Sequence, residues 1–195
     1  MQTRCSSTMP FDIPALGPAP FLALAGITLL AAALPLVLLR TKPLAERLRT
    51  AAVAAGLVLP CTAMLGWSVA HNSIALRDGQ IVVHASYFYE YARNVADFDL
   101  AGARVGSRRA LMPDGLGMRA NGISLPGYTA GRFSGEAGGS RRGPLFVAVT
   151  DSERMLYLPA RRGQSLLVSV DRGQELLDEI YRTARVAEAR MGGMD

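Results

Sequence analysis

The chain has 195 residues, half of them hydrophobic, with a formal net charge of +5 and a mean hydropathy of +0.20. That length accommodates one ordinary domain plus a small extra element and excludes two large domains. The charge is not that of a nucleic-acid binder: residues 71–195 hold 16 Arg against 14 acids, an excess of only two, whereas such proteins cluster a larger basic excess on one face.

Residues 1–20 form an N-terminal tail with one Arg. From Phe21 to Leu39 there are 19 residues without a charge, and from Thr50 to Ala70 there are 21 more. A hydrocarbon core of roughly 30 Å needs about 20 apolar residues at about 1.5 Å each. Soluble helices of that length carry a charged face, which neither run has. A cleaved signal peptide is disfavoured because the first run ends in Arg-Thr-Lys-Pro rather than in small residues. Two membrane spans are therefore expected, over 21–39 and 50–70, joined by a basic loop over 40–49.

That loop holds four basic residues (Arg40, Lys42, Arg47, Arg49) and one acid, Glu46. Short loops rich in Arg and Lys stay cytoplasmic, so the N-terminus and the segment after Ala70 are expected outside. Trp67 and Phe21 would then lie at the outer interface. Ala52 with Gly56, and Ala51 with Ala55, are four apart and permit close helix approach. With no ionisable group inside either run, the hairpin reads as an anchor rather than as a transport path.

After Ala70 the period becomes strand-like. Ile74 and Leu76 alternate with Ala75 and Arg77, and Asp78-Gly79 is a hairpin turn before Ile81–Val83. Tyr87, Tyr89 and Tyr91 alternate with Phe88 and Glu90 as a further strand. Leu145–Thr150, Arg154–Leu158 and Gln164–Ser169 follow with tight turns between them. The Gly-rich middle includes Gly135–Gly143, which reads as a hairpin tip. Leu176, Leu177, Ile180, Ala184 and Ala187 recur at helical spacing over 172–190. Asp171 and Gln174 are placed as a capping box for that helix.

The stretch R-x-N-G-x-x-L-P-G-Y-x-x-G-R-F at Arg119–Phe133, with L-F-V-A-V-T-D at Leu145–Asp151 and M-L-Y-L-P at Met155–Pro159, resembles bacterial PH-like domains of the kind carried on two N-terminal spans. The resemblance covers about residues 72–187. It departs from the family at the Gly135–Gly143 insertion and at Val170-Asp171. It implies about seven antiparallel strands in a partly open barrel, capped by the C-terminal helix, over 71–191. It also implies an interaction module rather than a headgroup sensor.

His71 and His84 are the only histidines and have no Cys/His/Asp cluster around them, so no metal site is expected. Asp97 and Asp99 read as turn or capping residues. Ser134 and Ser140 lack a nucleophile-elbow setting, and no phosphate-cradling loop or cofactor motif is present. A non-enzymatic role is expected. The candidate contacts with a protein partner or lipid are Arg108, Arg109, Arg119, Tyr128, Arg132, Arg141, Arg142, Arg161 and Arg162. Three readings follow: a protein-interaction or assembly module, an anionic lipid or envelope-polymer binder, and an accessory subunit of a larger membrane complex. The glycines around Tyr128 would either admit a partner backbone or turn a barrel corner.

Overall fold

The computed structural model describes residues 8–137, 140–141 and 143–192. Two long helices come first: α1 spans Ala19–Leu38 and α2 spans Leu44–Ala70. Pro18 and Pro20 open α1, where a fixed φ costs nothing and the missing N–H would have no partner. The second helix begins six residues before the apolar run at Thr50. Its first turn is polar, and Lys42 lies 3.8 Å from Glu46. Arg47 reaches back to donate to the Leu36 carbonyl at 3.1 Å from Nε and 2.6 Å from Nη2. It thus satisfies one of the acceptors that a helix C-terminus leaves open.

Only 6% of the most apolar stretch of α1 and 22% of that of α2 is buried. A core helix of a soluble protein would be covered by its own chain. These two present Leu22, Leu29, Leu34, Val53, Leu57 and Leu59 outward, and both are long and apolar enough to cross a membrane. Between them the Thr28 and Thr62 hydroxyls are 2.9 Å apart. Thr28 Oγ1 also donates to its own helix at Leu24 O, 3.1 Å. Of the small residues, Ala51 and Gly66 are buried, and Gly66 lies against Leu24 and Phe21. Gly56 has open space beside it, so it makes no hairpin contact.

The β-domain comprises two larger sheets. The first has strand order β1-β2-β3-β4, with β1 at Thr8–Phe11, β2 at Asn72–Arg77, β3 at Gln80–Ala85 and β4 at Tyr89–Asn94. Asp78 and Gly79 both have positive φ, 47° and 79°, as the expected two-residue hairpin requires. Tyr87 and Phe88 do not belong to a strand. They form the β3–β4 turn, so the alternating aromatic run begins at Tyr89. Residues 8–11 of the tail form an edge strand, in which Thr8 pairs with Arg77 and Phe11 with Ile74. This pairing brings the tail to the β-domain's end of the hairpin. Pro10 is tolerated because β1 is an edge.

The second sheet runs β5-β11-β12-β10-β7-β6. Its strands are β5 (Arg104–Gly106), β6 (Arg119–Leu125), β7 (Tyr128–Phe133), β10 (Leu145–Val149), β11 (Met155–Leu158) and β12 (Ser165–Ser169). A small pair, β8 (Glu136–Ala137) and β9 (Ser140–Arg141), lies between β7 and β10. A short helix α3 covers Arg108–Leu111, and α4 covers Gly173–Gly192.

The expected mainly-β domain with a C-terminal helix is present, but its strands are neither seven nor all antiparallel: they form a four-stranded and a six-stranded sheet that share a core, plus a two-stranded pair, and do not close into a barrel. The pairing of β10 with β12 is parallel. The reason is that β11 turns back on β12, so β12 lies between β10 and β11. Buried Ser169 holds the crossover: its hydroxyl accepts from Thr150 N and Asp151 N, both at 3.1 Å, and donates to Asp151 O at 2.7 Å.

One core lies between the sheets, with Ile74, Ile81, Val83, Phe146, Leu156, Leu166 and Val168 in it. Leu176, Leu177 and Ile180 of α4 enter that core. Three such side chains contribute roughly 5–9 kcal/mol before entropy. The capping box does not form. Asp171 instead pairs with Arg154, and Gln174 Nε2 donates to Asp178 at 3.2 Å. The other face of the second sheet is covered by Leu111, Met112 and Leu116, so β10 and β12 are buried on both faces.

Candidate functional site

The β-domain meets the hairpin at a joint built around Asn72. α2 ends at Ala70, and His71 alone separates it from β2. Asn72 Nδ2 donates to Val69 O at 2.6 Å, closing the helix end. Its Oδ1 accepts from Ser86 N and from Tyr128 OH, each at 2.9 Å. Tyr87 N donates to Ser68 Oγ at 3.1 Å. Ser86 has φ 54°, a left-handed conformation that this bonded turn imposes on a non-glycine residue. One side chain thus ties α2, the β3–β4 turn and β7 together. Tyr128 is 1% exposed, and burial raises its phenol above the ordinary value. It is therefore a core strut, and it also lines the cavity beside the joint.

Beside this joint lies a cavity of about 670 Å³, lined by Ala15, Gly17, Arg108, Leu125, Pro126 and Ser152 among others. The β6–β7 turn rests on the start of α1, because a Cβ at Gly127 would stand 3.6 Å from Ala19 Cβ. Arg108 N donates to Ser152 O at 2.6 Å, which fixes α3 at the cavity rim. No carboxylate among the described residues lies within ion-pair distance of the Arg108 guanidinium. Asp151 also lines the cavity, but it accepts from Glu153 N and Arg154 Nε, each at 2.8 Å. Those bonds, the backbone one foremost, hold its carboxyl below the usual range. A second hollow, of about 610 Å³, lies between the helices and is lined by Phe21, Leu24, Thr28, Leu59, Thr62 and Trp67 among others.

The nine expected contact residues do not converge. Arg108 and the exposed Arg109 lie at the cavity end of the second sheet. Arg119 and Arg132 are exposed together at the end of the β6–β7 pair away from its turn, where Arg119 faces Phe133 and Asn121 faces Arg132. Arg141 lies in β9, and Arg142 lies outside the described residues. Arg161 and Arg162 are exposed in the β11–β12 connection, where Arg161 N donates to Asp97 O at 2.9 Å. Six residues of β7 separate its two ends by roughly 20 Å, about two Debye lengths at physiological salt. A surface meeting Arg108 therefore does not attract the far arginines appreciably.

At that far end Tyr91 OH and Arg93 Nη1 both donate to Gln164 O, at 2.7 and 2.9 Å. Burial pushes the Tyr91 phenol up to about 12, against the opposing hydrogen bond and charge of Arg93. Asp97 pairs with Arg93 at 3.5 Å, and Asp99 stands at the N-terminus of a short 3₁₀ turn. Ser134 Oγ accepts from Met118 N at 3.0 Å. His84 is exposed on β3, and His71 Nδ1 is 2.7 Å from Trp67 O. No group of three or more His, Cys, Asp or Glu among the described residues is placed to hold a metal ion.

The glycines of β6 and β7 have a structural role. Gly131, with φ 124°, faces Gly122 across the pair. A Cβ on Gly131 would overlap Asn121 O and Gly122 Cα, and one on Gly122 would overlap Ala130 O. The two strands approach each other here, and no space is left for a partner backbone.

Sequence reasoning missed Asn72, Ser68 and Ser86. The one available signal was their position where the helical period gives way to the strand period. Comparison with protein-family models, with curated proteins and with solved structures finds no match.

Proposed function

We propose that the chain is an integral membrane protein whose two-helix hairpin spans the bilayer and holds a non-catalytic PH-like module for protein–protein interaction or assembly. The observation that carries this reading is the uncovered edge of the second sheet. β6 is seven residues long, pairs only with β7 among the described residues, and exposes Arg119, Ala120, Asn121 and Ser124, with Asn121 Oδ1 accepting from Tyr89 OH at 3.3 Å. An unpaired edge is a template for an added strand. The PH-like assignment is supported by two packed sheets that share a core with a C-terminal amphipathic helix. The basic 40–49 segment supports a cytoplasmic hairpin loop, with the β-domain outside.

Edge pairing predicts that full-length protein in mild detergent runs as a self-association complex or with a stoichiometric partner. Ala120→Lys with Ser124→Lys then returns it to the monomer, while Arg161→Gln with Arg162→Gln leaves it unchanged. A wild-type chain measured by light scattering at its monomer mass of 20.8 kDa, with nothing bound, removes the reading.

Arg108, beside the cavity and with no carboxylate in ion-pair range among the described residues, favours a second reading, anionic lipid binding. One such contact contributes about 1 kcal/mol near the surface, or roughly fivefold in affinity. Arg108→Gln in the reconstituted protein is expected to lower anionic-lipid enrichment by about that factor at low salt, with no effect at 1 M salt. An unchanged enrichment at low salt rules this reading out.

A further inference from the structure

We infer that the β3–β4 turn, with Tyr87 and Phe88 at its tip, is a third membrane contact of the chain, seated in the bilayer interface beside Trp67. This rests on the proposed spanning hairpin.

Tyr87 is 73% exposed and Phe88 and Trp67 are each 54% exposed. Their rings are continuous: Trp67 to Tyr87 is 5.7 Å and Tyr87 to Phe88 is 6.0 Å between centroids, with His71 4.4 Å from Trp67. Trp67 lies three residues before the end of α2, about 4.5 Å along the axis. Tyr87 therefore reaches the depth of the last helical turn rather than standing above it. Trp and Tyr are the residues that settle at the headgroup level, with an apolar body and one polar group.

The turn is held at that depth. Ser68 accepts from Tyr87 N, and Asn72 accepts from Ser86 N. The exposed apolar side chains of α2, Leu57, Met64 and Trp67, lead to Tyr87, whose ring is 5.7 Å from that of Trp67, which makes the lipid that surrounds the helix the occupant of the tip as well. Ser86, Tyr87 and Phe88 carry no charge. His71 stands at this level with its ring against Trp67 and its Nδ1 2.7 Å from Trp67 O, and the first charge-bearing side chains along β3 and β4 themselves, His84 and Glu90, face each other roughly 7 Å above the tip. Their height limits insertion to the interface.

The test uses full-length protein with Cys5→Ser and Cys61→Ser in phosphatidylcholine–phosphatidylglycerol vesicles, with spin labels on single cysteines at Phe88, Gln80 and Leu30. Collision with oxygen reports lipid, and collision with a water-soluble nickel chelate reports solvent. The expected oxygen-to-nickel ratio at Phe88→Cys is several-fold above that at Gln80→Cys, at the distal start of β3, and below that at Leu30→Cys, in mid-helix. A Phe88 ratio equal to the Gln80 ratio, with Leu30 in lipid, overturns this inference and leaves the hairpin standing. A Leu30 label exposed to nickel overturns the spanning hairpin, and this contact with it. Low collision with both reagents at Phe88 means that a second copy covers the tip, which also overturns the lipid contact.

Discussion

Gly131→Ala is expected to destabilise the β-domain by more than about 3 kcal/mol, a large share of the 5–15 kcal/mol that holds an ordinary domain together. Two costs combine. At φ 124° the backbone is in a region that is essentially glycine-only, worth about 1–3 kcal/mol for any other residue. The new Cβ then meets backbone, Asn121 O and Gly122 Cα, which cannot rotate away as a side-chain tip would. Relief requires β6 to separate from β7, and this would also displace the exposed edge. Gly115→Ala is the control. It has φ 94° but nothing within 4 Å of its Cβ, so it carries the conformational cost alone, about 1–3 kcal/mol. Urea unfolding of the full chain in detergent, followed by the sheet signal in circular dichroism, measures both. Equal losses for the two variants would mean that β6 and β7 do not approach so closely.

Asn72→Ala is expected to cost about 2–5 kcal/mol and to loosen the β-domain on its hairpin. The substitution leaves Ser86 N and the buried Tyr128 hydroxyl without their acceptor, at about 1–3 kcal/mol for each unsatisfied buried group. It also removes the donor that closes α2 at Val69 O. Tyr128→Phe deletes only the hydroxyl, and its cost should be about 1 kcal/mol. Pulsed electron–electron resonance between labels at Leu57 and Gln80 reads the mechanical effect. The distance distribution is expected to be narrow in the wild type and in Tyr128→Phe, and broad in Asn72→Ala. An unbroadened distribution in Asn72→Ala would show that the joint is held elsewhere, through Ser68 and the aromatic contacts.

Much of this architecture was legible because it depends on local pattern. The uncharged runs give two helices, and Asp78-Gly79 gives a hairpin with both residues at positive φ. The Leu176, Leu177 and Ile180 stripe gives a helix that docks by that face. Boundaries were less legible where polar residues continue a helix: α2 starts at Leu44 because Pro43 and Glu46 suit a first turn, although the uncharged run begins only at Thr50. The run from Tyr87 to Tyr91 has perfect strand alternation, yet its first two residues form a turn, because Ser68 and Asn72 bind the backbone there.

The candidate site was less legible still. Arg-Arg pairs and a tyrosine between glycines are conspicuous in a sequence, but they say nothing about which end of a strand they occupy. Register sends Arg108 to the hairpin end and Arg161 and Arg162 to the other, and it buries Tyr128. Asn72 is inconspicuous because an isolated Asn after a helix is ordinary. Its importance comes from Ser86, 14 residues away, and Tyr128, 56 residues away.

By itself, then, the sequence determined the apolar helical pair, the basic turn between its halves, the period-2 strands and the amphipathic final helix, since each follows from spacing along a few turns of chain. Only the tertiary structure decided the tail strand on β2, the parallel β10–β12 pair and the Asn72 joint. It also decided the scatter of the arginines and the placing of Tyr87 and Phe88 beside Trp67. Each of these depends on hydrogen bonds and close contacts between residues far apart in the chain, and no local period encodes such pairings.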